Sequence, residues 1–342
     1  MKRFFTVIAL FAILTLLLPF IGLWVGKLWD SPSKKDTPPS ITQPLSSPIP
    51  PSQTDPLPIS GDSLPIFNLD TKTVEQVPLE EFVLGSVASE MPITWPNEAL
   101  KAQAIASRSY ALARAALNDG SDTSLQGAAF SANPKQHLGF VRVEQMKDMW
   151  GADFDTNYAR LKMLVESTAG TTLQYNGQTA LTCYHAISAG HTEASENVWS
   201  SALPYLAGID SPLDLTSPDF TVSTQMSSQE VYYALQMAFP DLQLVGDPVT
   251  WFGNPVLTPA GYIQSIPVGT AQLKGVDVRA ALNLRSACFT VNYTDGMFTF
   301  TTKGYGHGVG MSQYGAYTMA LTGKTYDAIL ATYYPQTTLA TK

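Results

Sequence analysis

Residues 79–90 read Leu79-Glu80-Glu81-Phe82-Val83-Leu84-Gly85-Ser86-Val87-Ala88-Ser89-Glu90, and the interpretation of the fold starts from this stretch. Its apolar residues recur at i, i+3, i+4 and i+8, at Leu79, Phe82, Val83 and Val87. This spacing gives a helix one apolar face, so we expect residues 79–90 to pack against a core as a helix. Glu90 then lies at the edge of the buried face.

The expected position of Glu90 suggests a chemical role. Burial disfavours the charged form of a carboxyl group and raises its pKa, and a general acid that works near neutral pH needs a raised pKa. Glu90 is therefore a candidate catalytic acid. The plainer alternative is a helix-terminal glutamate that caps the helix or pairs locally.

A second helix is expected shortly after the first. Pro92 and Pro96 end the first helix and fix a short loop, because proline cannot continue a hydrogen-bonded helix. The alanine-rich stretch from Asn97 to about Asn118 then predicts a helix with Asn97 as its N-cap.

This second helix carries two basic residues, Lys101 and Arg108, that are seven positions apart and so project from one face. They are either ordinary solvated charges or groups with a function. In a functional role they would hold an anionic or polyhydroxyl ligand, or form an ion pair with Glu90.

The remaining pattern mixes strands and helices without βαβ regularity, which predicts an α+β fold of helices and antiparallel hairpins. The Asn-Gly and Asp-Gly pairs mark hairpin turns, and Ser227 with Glu230 forms a capping box. The expected elements are strands at 66–69 and 74–77, a helix around 157–168, hairpins at 171–182 and 289–300, a helix from 227 to about 238, and a helix after Gly310.

The N-terminal region predicts a membrane anchor. Residues 4–25 carry no charge and are long enough to span a bilayer, and Lys2 and Arg3 precede them. The positive-inside rule then places the N-terminus in the cytoplasm and the rest outside, in a single-pass protein of the cell membrane. A cleavable signal peptide is the alternative, but residues 22–29 are too bulky for a cleavage site.

Three segments are therefore expected along the chain. Residues 1–30 form the cytoplasmic start and the anchor. Residues 31–65 are rich in proline and serine and form an extended linker, which is either a functional tether or a passive spacer. Residues 66–342 form one lobed, extracytoplasmic domain.

Composition limits the partners and the redox chemistry. The formal net charge is -8 and no basic stripe is present, so nucleic acid is not an expected partner. The chain has two cysteines, Cys183 and Cys288, whose pairing stays open.

Residues 183–199 hold Cys183, His185 and His191, which raises the possibility of zinc. We do not favour zinc, because no second block of ligands matches them. A hydrolase with Cys183 as nucleophile and His307 as base is also disfavoured, because Cys183 is expected in a hairpin and not at a helix N-terminus.

A glycine-rich stretch runs from Gly304 to Gly315, with glycine at every second position through Gly310. It matches neither a Walker loop nor a dinucleotide fingerprint. Alternating glycines beside Tyr305 and His307 favour close approach of the backbone to a ligand, and Ser312 is placed to cap the next helix.

Four sequence blocks, in this order, resemble the stage II sporulation protein D family. They are residues 87–92 with 98–110, residues 185–193 with 195–199, residues 204–206, and residues 304–316. The resemblance covers about residues 66–340. It implies a membrane-anchored lytic transglycosylase with a glycan-binding cleft, which cuts peptidoglycan strands during engulfment of the forespore.

The resemblance also implies partners: peptidoglycan glycan strands, a cell-wall amidase that strips the stem peptides, and a membrane partner of the engulfment machinery. The runner-up is a non-catalytic, wall-binding amidase enhancer. Zinc-binding relatives carry cysteines and histidine within 119–145, whereas this chain has only His137 there. Neither a metal nor another cofactor is therefore expected.

The resemblance maps the family's catalytic acid onto Glu90. The supporting or substrate-binding positions that it implies are Lys101, Arg108, His185, Ser188, Tyr305 and His307. One acid suffices for this reaction, because a hydroxyl group of the sugar is the nucleophile. An ordinary glycosidase needs two carboxylates, and Glu196 stays a candidate for the second.

Overall fold

The computed structural model describes residues 63–341 except Asp70, residues 133–138 and Ser200. The predicted anchor at residues 4–25, almost all of the predicted linker and His137 lie outside the described residues. Within the described part of the chain, no helix combines the length and the apolar character needed to cross a membrane.

The described residues form helices and mostly antiparallel strands, which confirms the predicted α+β class. The helices are α1 (Leu79–Glu90), α2 (Asn97–Ala116), α3 (Val143–Trp150), α4 (Phe154–Glu166), α5 (Ser195–Val198), α6 (Ser228–Ala238), α7 (Gly275–Ala281), α8 (Gln313–Leu321) and α9 (Tyr326–Tyr333).

The strands are short and fall into several small sheets. They are β1 (Ser63–Asn68), β2 (Thr73–Pro78), β3 (Phe130–Ser131), β4 (Thr171–Tyr175), β5 (Gln178–Thr179), β6 (Tyr184–His185), β7 (Thr221–Ser227), β8 (Val256–Leu257), β9 (Ile263–Val268), β10 (Ala271–Leu273), β11 (Phe289–Thr294), β12 (Met297–Lys303), β13 (Met311–Ser312) and β14 (Thr338–Thr341).

Helix α2 lies at the centre of the first hydrophobic core. It packs against helices α1, α4, α8 and α9 and against strand β4. Its fully buried alanines, among them Ala102 and Ala106, let these neighbours approach closely because they carry nothing beyond Cβ. The space between the helices is filled by Leu100 and Ile105 of α2 and by Phe82 of α1.

Two sheets and one strand pair border this core, in the orders β2-β1-β3, β14-β4-β5 and β6-β13. The β6-β13 pair is parallel and aligns Tyr184 with Met311 and His185 with Ser312. The β1-β3 pair is parallel as well. These parallel pairs depart from the predicted antiparallel hairpins, because their strands come from distant parts of the chain and no turn signal marks them.

A second hydrophobic core is built by residues 221–303, which lie in the sequence between β6 and β13. Its sheet has the order β11-β12-β7, and α6, α7 and a smaller sheet of β8, β9 and β10 add apolar side chains. Phe298 and Phe300 of β12 are almost completely buried there. Strands β6 and β13 therefore pair in the fold although all the residues of the second hydrophobic core lie between them in the sequence.

Local signals in the sequence predicted several elements well. Asn176 and Gly177 have φ angles of 51° and 77°, and Asp295 and Gly296 have 51° and 82°, so both predicted hairpin turns are confirmed. The Ser227 capping box is confirmed as well.

Two details of the predicted helices were wrong. Asn97 is the first residue of α2 and does not cap it, because its side-chain oxygen accepts hydrogen bonds from Arg160 instead. The helix predicted around 157–168 begins at Phe154 and ends at Glu166, so its bounds lie three and two residues nearer the N-terminus.

Candidate active site around Glu90

Glu90 is the last residue of α1, as the apolar pattern predicted. The Met91 N–H donates to the Val87 carbonyl, and the backbone adopts an extended conformation at Met91, just before Pro92. Phe82, Val83 and Val87 are fully buried, while Glu90 is partly buried at the edge of the same face.

The Glu90 carboxylate accepts two hydrogen bonds from groups that are far away in the sequence. The Gly139 N–H donates to Oε1 over 2.9 Å. The Gln313 side chain donates through Nε2 to Oε2 over 3.1 Å. Burial raises the pKa of Glu90, and these two hydrogen bonds oppose that effect without cancelling it. The group is thus both held in place and more easily protonated than an ordinary glutamate.

A buried polar network continues from Gln313 into the first core. The Gln313 amide nitrogen also lies 3.4 Å from the Gln103 side-chain oxygen, and Gln103 donates to the Ser107 hydroxyl over 3.1 Å. The Ser86 hydroxyl donates to Ser107 over 3.0 Å, and the Tyr184 hydroxyl lies 3.3 Å from Ser107. The network fixes the Gln313 amide so that its nitrogen faces the carboxylate of the candidate acid.

The Gly139 contact depends on the absence of a side chain. A Cβ at this position would collide with the Ser89 hydroxyl and would lie 2.7 Å from Glu90 Oε1. The following residues pack down on α1, with the rings of Phe140 and Phe82 stacked at 5.5 Å. Sequence reasoning missed Gly139, since it falls in a stretch with no periodic pattern. Gln313 was missed within a block where only the capping role of Ser312 was noticed.

Lys101 and Arg108 project from α2, but neither contacts Glu90. Lys101 forms an ion pair with Glu98 at 3.0 Å, and its ammonium group lies 5.7 Å from the centre of the Tyr326 ring. It is partly exposed and so remains accessible to a ligand.

Arg108 is fully buried and pairs with Glu80 rather than with Glu90. Its Nε and Nη2 atoms donate to the two Glu80 oxygens over 2.8 and 2.6 Å, and Nη1 donates to the Thr171 carbonyl over 3.1 Å. Glu80 lies ten residues before Glu90, which is about 15 Å along the helix. Arg108 therefore joins the start of α1 to α2 and β4, away from the candidate acid.

His185 and His307 lie together, with ring centres 5.8 Å apart. His185 Nδ1 lies 3.1 Å from the Val309 carbonyl and must donate to it, which leaves Nε2 as an acceptor. Burial lowers the pKa of His185 to about 4, so it is neutral at neutral pH. His307 Nδ1 accepts the Val309 N–H over 3.0 Å, and burial lowers its pKa well below the usual range.

Ser188 is buried and is bound to Asp214, a residue that sequence reasoning missed. Asp214 accepts hydrogen bonds from the Ser188 hydroxyl and N–H, from Ser211 over 2.9 Å and from Ser312 over 2.7 Å. Burial raises the pKa of Asp214, and these donors oppose that effect. Ser312 caps α8, so the Asp214 cluster fixes the start of the helix whose first residue is Gln313.

Tyr305 is 48% exposed, whereas most of the glycine-rich stretch around it is buried. Its backbone exchanges two hydrogen bonds with Ile187, at 2.7 and 3.0 Å. The Arg285 guanidinium lies over its ring at 4.5 Å from the centre. Tyr305 is thus an aromatic surface presented beside His185.

The alternative chemistries find little support in this geometry. Cys183 and Cys288 are both free thiols. Burial raises the pKa of Cys183 to about 12, and His307 already uses Nδ1 as an acceptor, so a Cys183–His307 hydrolase has neither its thiolate nor its base. Glu196 is exposed, and its carboxylate accepts a hydrogen bond from the Ser195 hydroxyl over 3.4 Å. Within the described residues no three His, Cys, Asp or Glu side chains meet as a metal site.

Comparison with known proteins gives a family match and several relatives. The family model described as "Stage II sporulation protein" matches residues 68–175. Stage II sporulation protein D of Bacillus subtilis (strain 168) is 36% identical over 278 residues, which are 81% of this chain and 79% of that protein. Its counterpart in Bacillus amyloliquefaciens is 35% identical over 272 residues, 80% of this chain and 77% of that protein.

A relative with a different name is also similar. The amidase enhancer of Bacillus subtilis (strain 168) is 28% identical in a 306-residue alignment that covers 75% of this chain and 40% of that protein.

Proposed function

The chain belongs to the stage II sporulation protein D family, and on that premise we propose that it is a lytic transglycosylase that cuts the glycan strands of peptidoglycan during sporulation. The bond cleaved joins N-acetylmuramic acid to N-acetylglucosamine. The product end is a 1,6-anhydro-N-acetylmuramic acid.

The observation that carries this proposal is the state of the Glu90 carboxyl. Burial raises its pKa, while Gly139 and Gln313 hold both of its oxygens. A protonated Glu90 would donate its proton to the glycosidic oxygen as that bond breaks. The resulting carboxylate would then take the proton from the C6 hydroxyl of the muramic acid as that oxygen closes the ring on C1.

The reaction needs no second carboxylate, since the sugar supplies the nucleophile. Among the described residues, no other carboxylate hydrogen-bonds to Glu90, and the earlier candidate Glu196 is exposed and bound to its neighbour. An enzyme that activates water with a second acid would place that acid about 5–10 Å from the first. In transglycosylation Glu90, held by Gly139 and Gln313, can carry out both proton transfers by itself.

A second candidate function is supported by the similarity to an amidase enhancer. In this role the chain would bind the glycan and stimulate an amidase without cutting the strand. The raised pKa of Glu90 would then have no chemical use, which is why we place the enzyme first.

We further propose a location and partners that follow from the proposed transglycosylase activity. The N-terminal segment at residues 4–25 would anchor the chain in the cell membrane with its N-terminus in the cytoplasm, and residues 31–65 would let the catalytic domain reach the wall. A cell-wall amidase would supply strands without stem peptides, and a membrane partner of the engulfment machinery would place the enzyme at its site of action.

The test is digestion of peptide-stripped glycan strands by the full chain and by Glu90→Gln, with mass spectrometry of the products. We expect anhydro-ended fragments from the unaltered chain and a rate at least about a hundredfold lower with Glu90→Gln. The matched control is Glu81→Gln, the same substitution at an exposed position of the same helix. Equal product from Glu90→Gln and Glu81→Gln would refute the proposal and favour the amidase enhancer.

A further inference from the structure

Four side chains gather beside the glycine-rich stretch and are not needed for the acid chemistry of Glu90. We call them the arginine cluster, and its members are Arg279, Arg285, Tyr305 and His185. Arg279 of α7 donates through Nε to the carbonyls of Leu284 and Arg285, over 3.3 and 3.2 Å. Its side chain therefore lies against the backbone of the second arginine.

The loop that carries Tyr305 connects the arginines to His185. The Gly306 N–H donates to the Arg285 carbonyl over 2.9 Å. A Cβ on Gly306 would lie 2.7 Å from the His185 Cβ, so the loop crosses directly over the histidine. The charge of Arg279 is close enough to lower the pKa of both His185 and His307.

The two arginines lack a negative partner. Among the described residues, no carboxylate oxygen lies within 4.0 Å of either guanidinium group. The Arg285 Nε atom is buried and finds no hydrogen-bond partner in the described part of the chain, although its guanidinium group stacks on the exposed Tyr305 ring. Buried arginine nitrogens are normally paired, since leaving a charged donor unsatisfied costs more than leaving a neutral one.

His185 adds a second unsatisfied atom, which is a hydrogen-bond acceptor rather than a donor. It is only 4% exposed, and none of the described residues forms a hydrogen bond with its Nε2 atom. Because Nδ1 donates to the Val309 carbonyl, Nε2 is left with a free lone pair and needs an N–H or O–H donor. A ligand that fits the cluster must therefore offer an anion to the arginines and a donor to the histidine.

We propose that the arginine cluster binds an anionic sugar, namely a muramic acid whose lactyl carboxylate has been freed by removal of its stem peptide. Arginine is well suited to this group, since its planar guanidinium forms paired hydrogen bonds with a carboxylate. The sugar's hydroxyl and acetamido groups supply donors for His185, and Tyr305 offers an apolar face to the ring. A stem peptide converts the same carboxylate into a neutral amide.

The identity of the sugar rests on the proposed function, but the site itself can be tested without turnover. The probe is peptide-stripped glycan, and the protein is the full chain carrying Glu90→Gln, so that binding is measured at equilibrium. Two further probes are the same strands with the lactyl carboxylates converted to methylamides, and strands that keep their stem peptides.

Arg285→Met is the informative variant, because it removes the charge and keeps an apolar stem on Tyr305. The substitution breaks no hydrogen bond at Nε, which has no partner among the residues that the structure describes. We expect binding of stripped glycan to weaken about tenfold or more, as for loss of a hydrogen bond to a charged group. The methylamide strands should bind weakly and should be insensitive to the substitution. Lys324→Met, at an exposed lysine, is the control for a general loss of positive charge.

Three outcomes would overturn the proposal. The first is unchanged affinity for stripped glycan in Arg285→Met, and the second is equal weakening for stripped and methylamide strands. The third is tight, Arg285-dependent binding of peptide-bearing strands, which would assign the carboxylate to the peptide. Because binding is read without cleavage, failure of the transglycosylase test leaves this result interpretable.

Discussion

Gln313 donates a hydrogen bond to the Glu90 carboxylate although the two residues lie 223 positions apart in the chain. The donor stands at the start of α8 and the acceptor at the end of α1, and Ser312 and Asp214 fix the helix start that aims the amide. The protonation state of the candidate acid Glu90 therefore depends on α8 as well as on α1, the helix that carries it.

Replacing Gln313 with methionine should change the pH dependence of glycan cleavage. The Gln313 hydrogen bond favours the charged form of Glu90, so its loss raises the pKa of Glu90 further and moves the alkaline limb of the rate profile to higher pH. The maximal rate should fall about tenfold because the carboxyl loses its orientation. The measurement is the rate of anhydro-product formation against pH.

Gln103→Met is the companion to this variant, since Gln103 reaches the acid only through Gln313. It should shift the alkaline limb in the same direction but by less. An alkaline limb that stays in place in both variants would contradict the assignment of Gln313.

The raised pKa of Glu90 predicts a dependence of stability on pH. Its folded-state pKa lies above the ordinary value of 4.5, so the native state binds more protons than the unfolded state between these two values. The contribution of Glu90 to the free energy of unfolding is full below pH 4.5 and is lost as pH rises through the folded pKa.

Urea unfolding of Glu90→Gln and of the unaltered chain, measured at several pH values, tests this sign. The variant should become more stable relative to the unaltered chain as pH rises above 4.5. The difference between the two proteins isolates Glu90 from Asp214, whose pKa is also raised by burial. A difference that does not change with pH would show that Glu90 is not desolvated.

Gly139→Ala should impair both folding and cleavage. The added methyl group would collide with Ser89 and crowd Glu90 Oε1, so the loop must move and the N–H donor is lost. We expect a loss of about 1–3 kcal/mol in the free energy of unfolding, as for overpacking. Cleavage should fall at least about tenfold at a temperature where the variant is still folded.

Gly151→Ala is the control for this glycine replacement. No atom of the described residues lies within 4 Å of a Cβ built there, although the φ angle of +51° strains an alanine. Stability should change only through that strain, and cleavage by folded protein should be normal. Equal loss of cleavage in both variants would remove the special role of Gly139.

Arg108→Met should act on stability rather than on the chemistry of Glu90. It breaks an ion pair in which the arginine is fully buried and leaves Glu80, 39% exposed, without its partner. We expect a loss of about 3 kcal/mol in the free energy of unfolding, at the lower end for a buried pair because Glu80 is partly solvated.

The readout that separates the two roles of Arg108 is the pH profile of cleavage by the folded variant. It should match that of the unaltered chain, since Arg108 and Glu90 share no contact. A shifted profile without loss of stability would place Arg108 in the active site instead.

Local interactions explain which features were predictable from the sequence. The apolar spacing in residues 79–90 predicted α1 and the place of Glu90 at its end, because helical periodicity involves neighbours three and four residues apart. The Asn176-Gly177 and Asp295-Gly296 pairs predicted their hairpins, because those residues tolerate positive φ angles. In each case the physical cause lies within a few residues of its effect.

The partners of the candidate site were decided by the tertiary structure alone. Gly139 and Gln313 reach Glu90 from 49 and 223 positions away, and Arg108 pairs with Glu80 instead of Glu90. No local pattern records such contacts, since they arise when packing buries polar groups that must then find each other. The sequence by itself determined the helix that ends at the candidate acid Glu90, and the fold decided what holds that carboxyl group and raises its pKa.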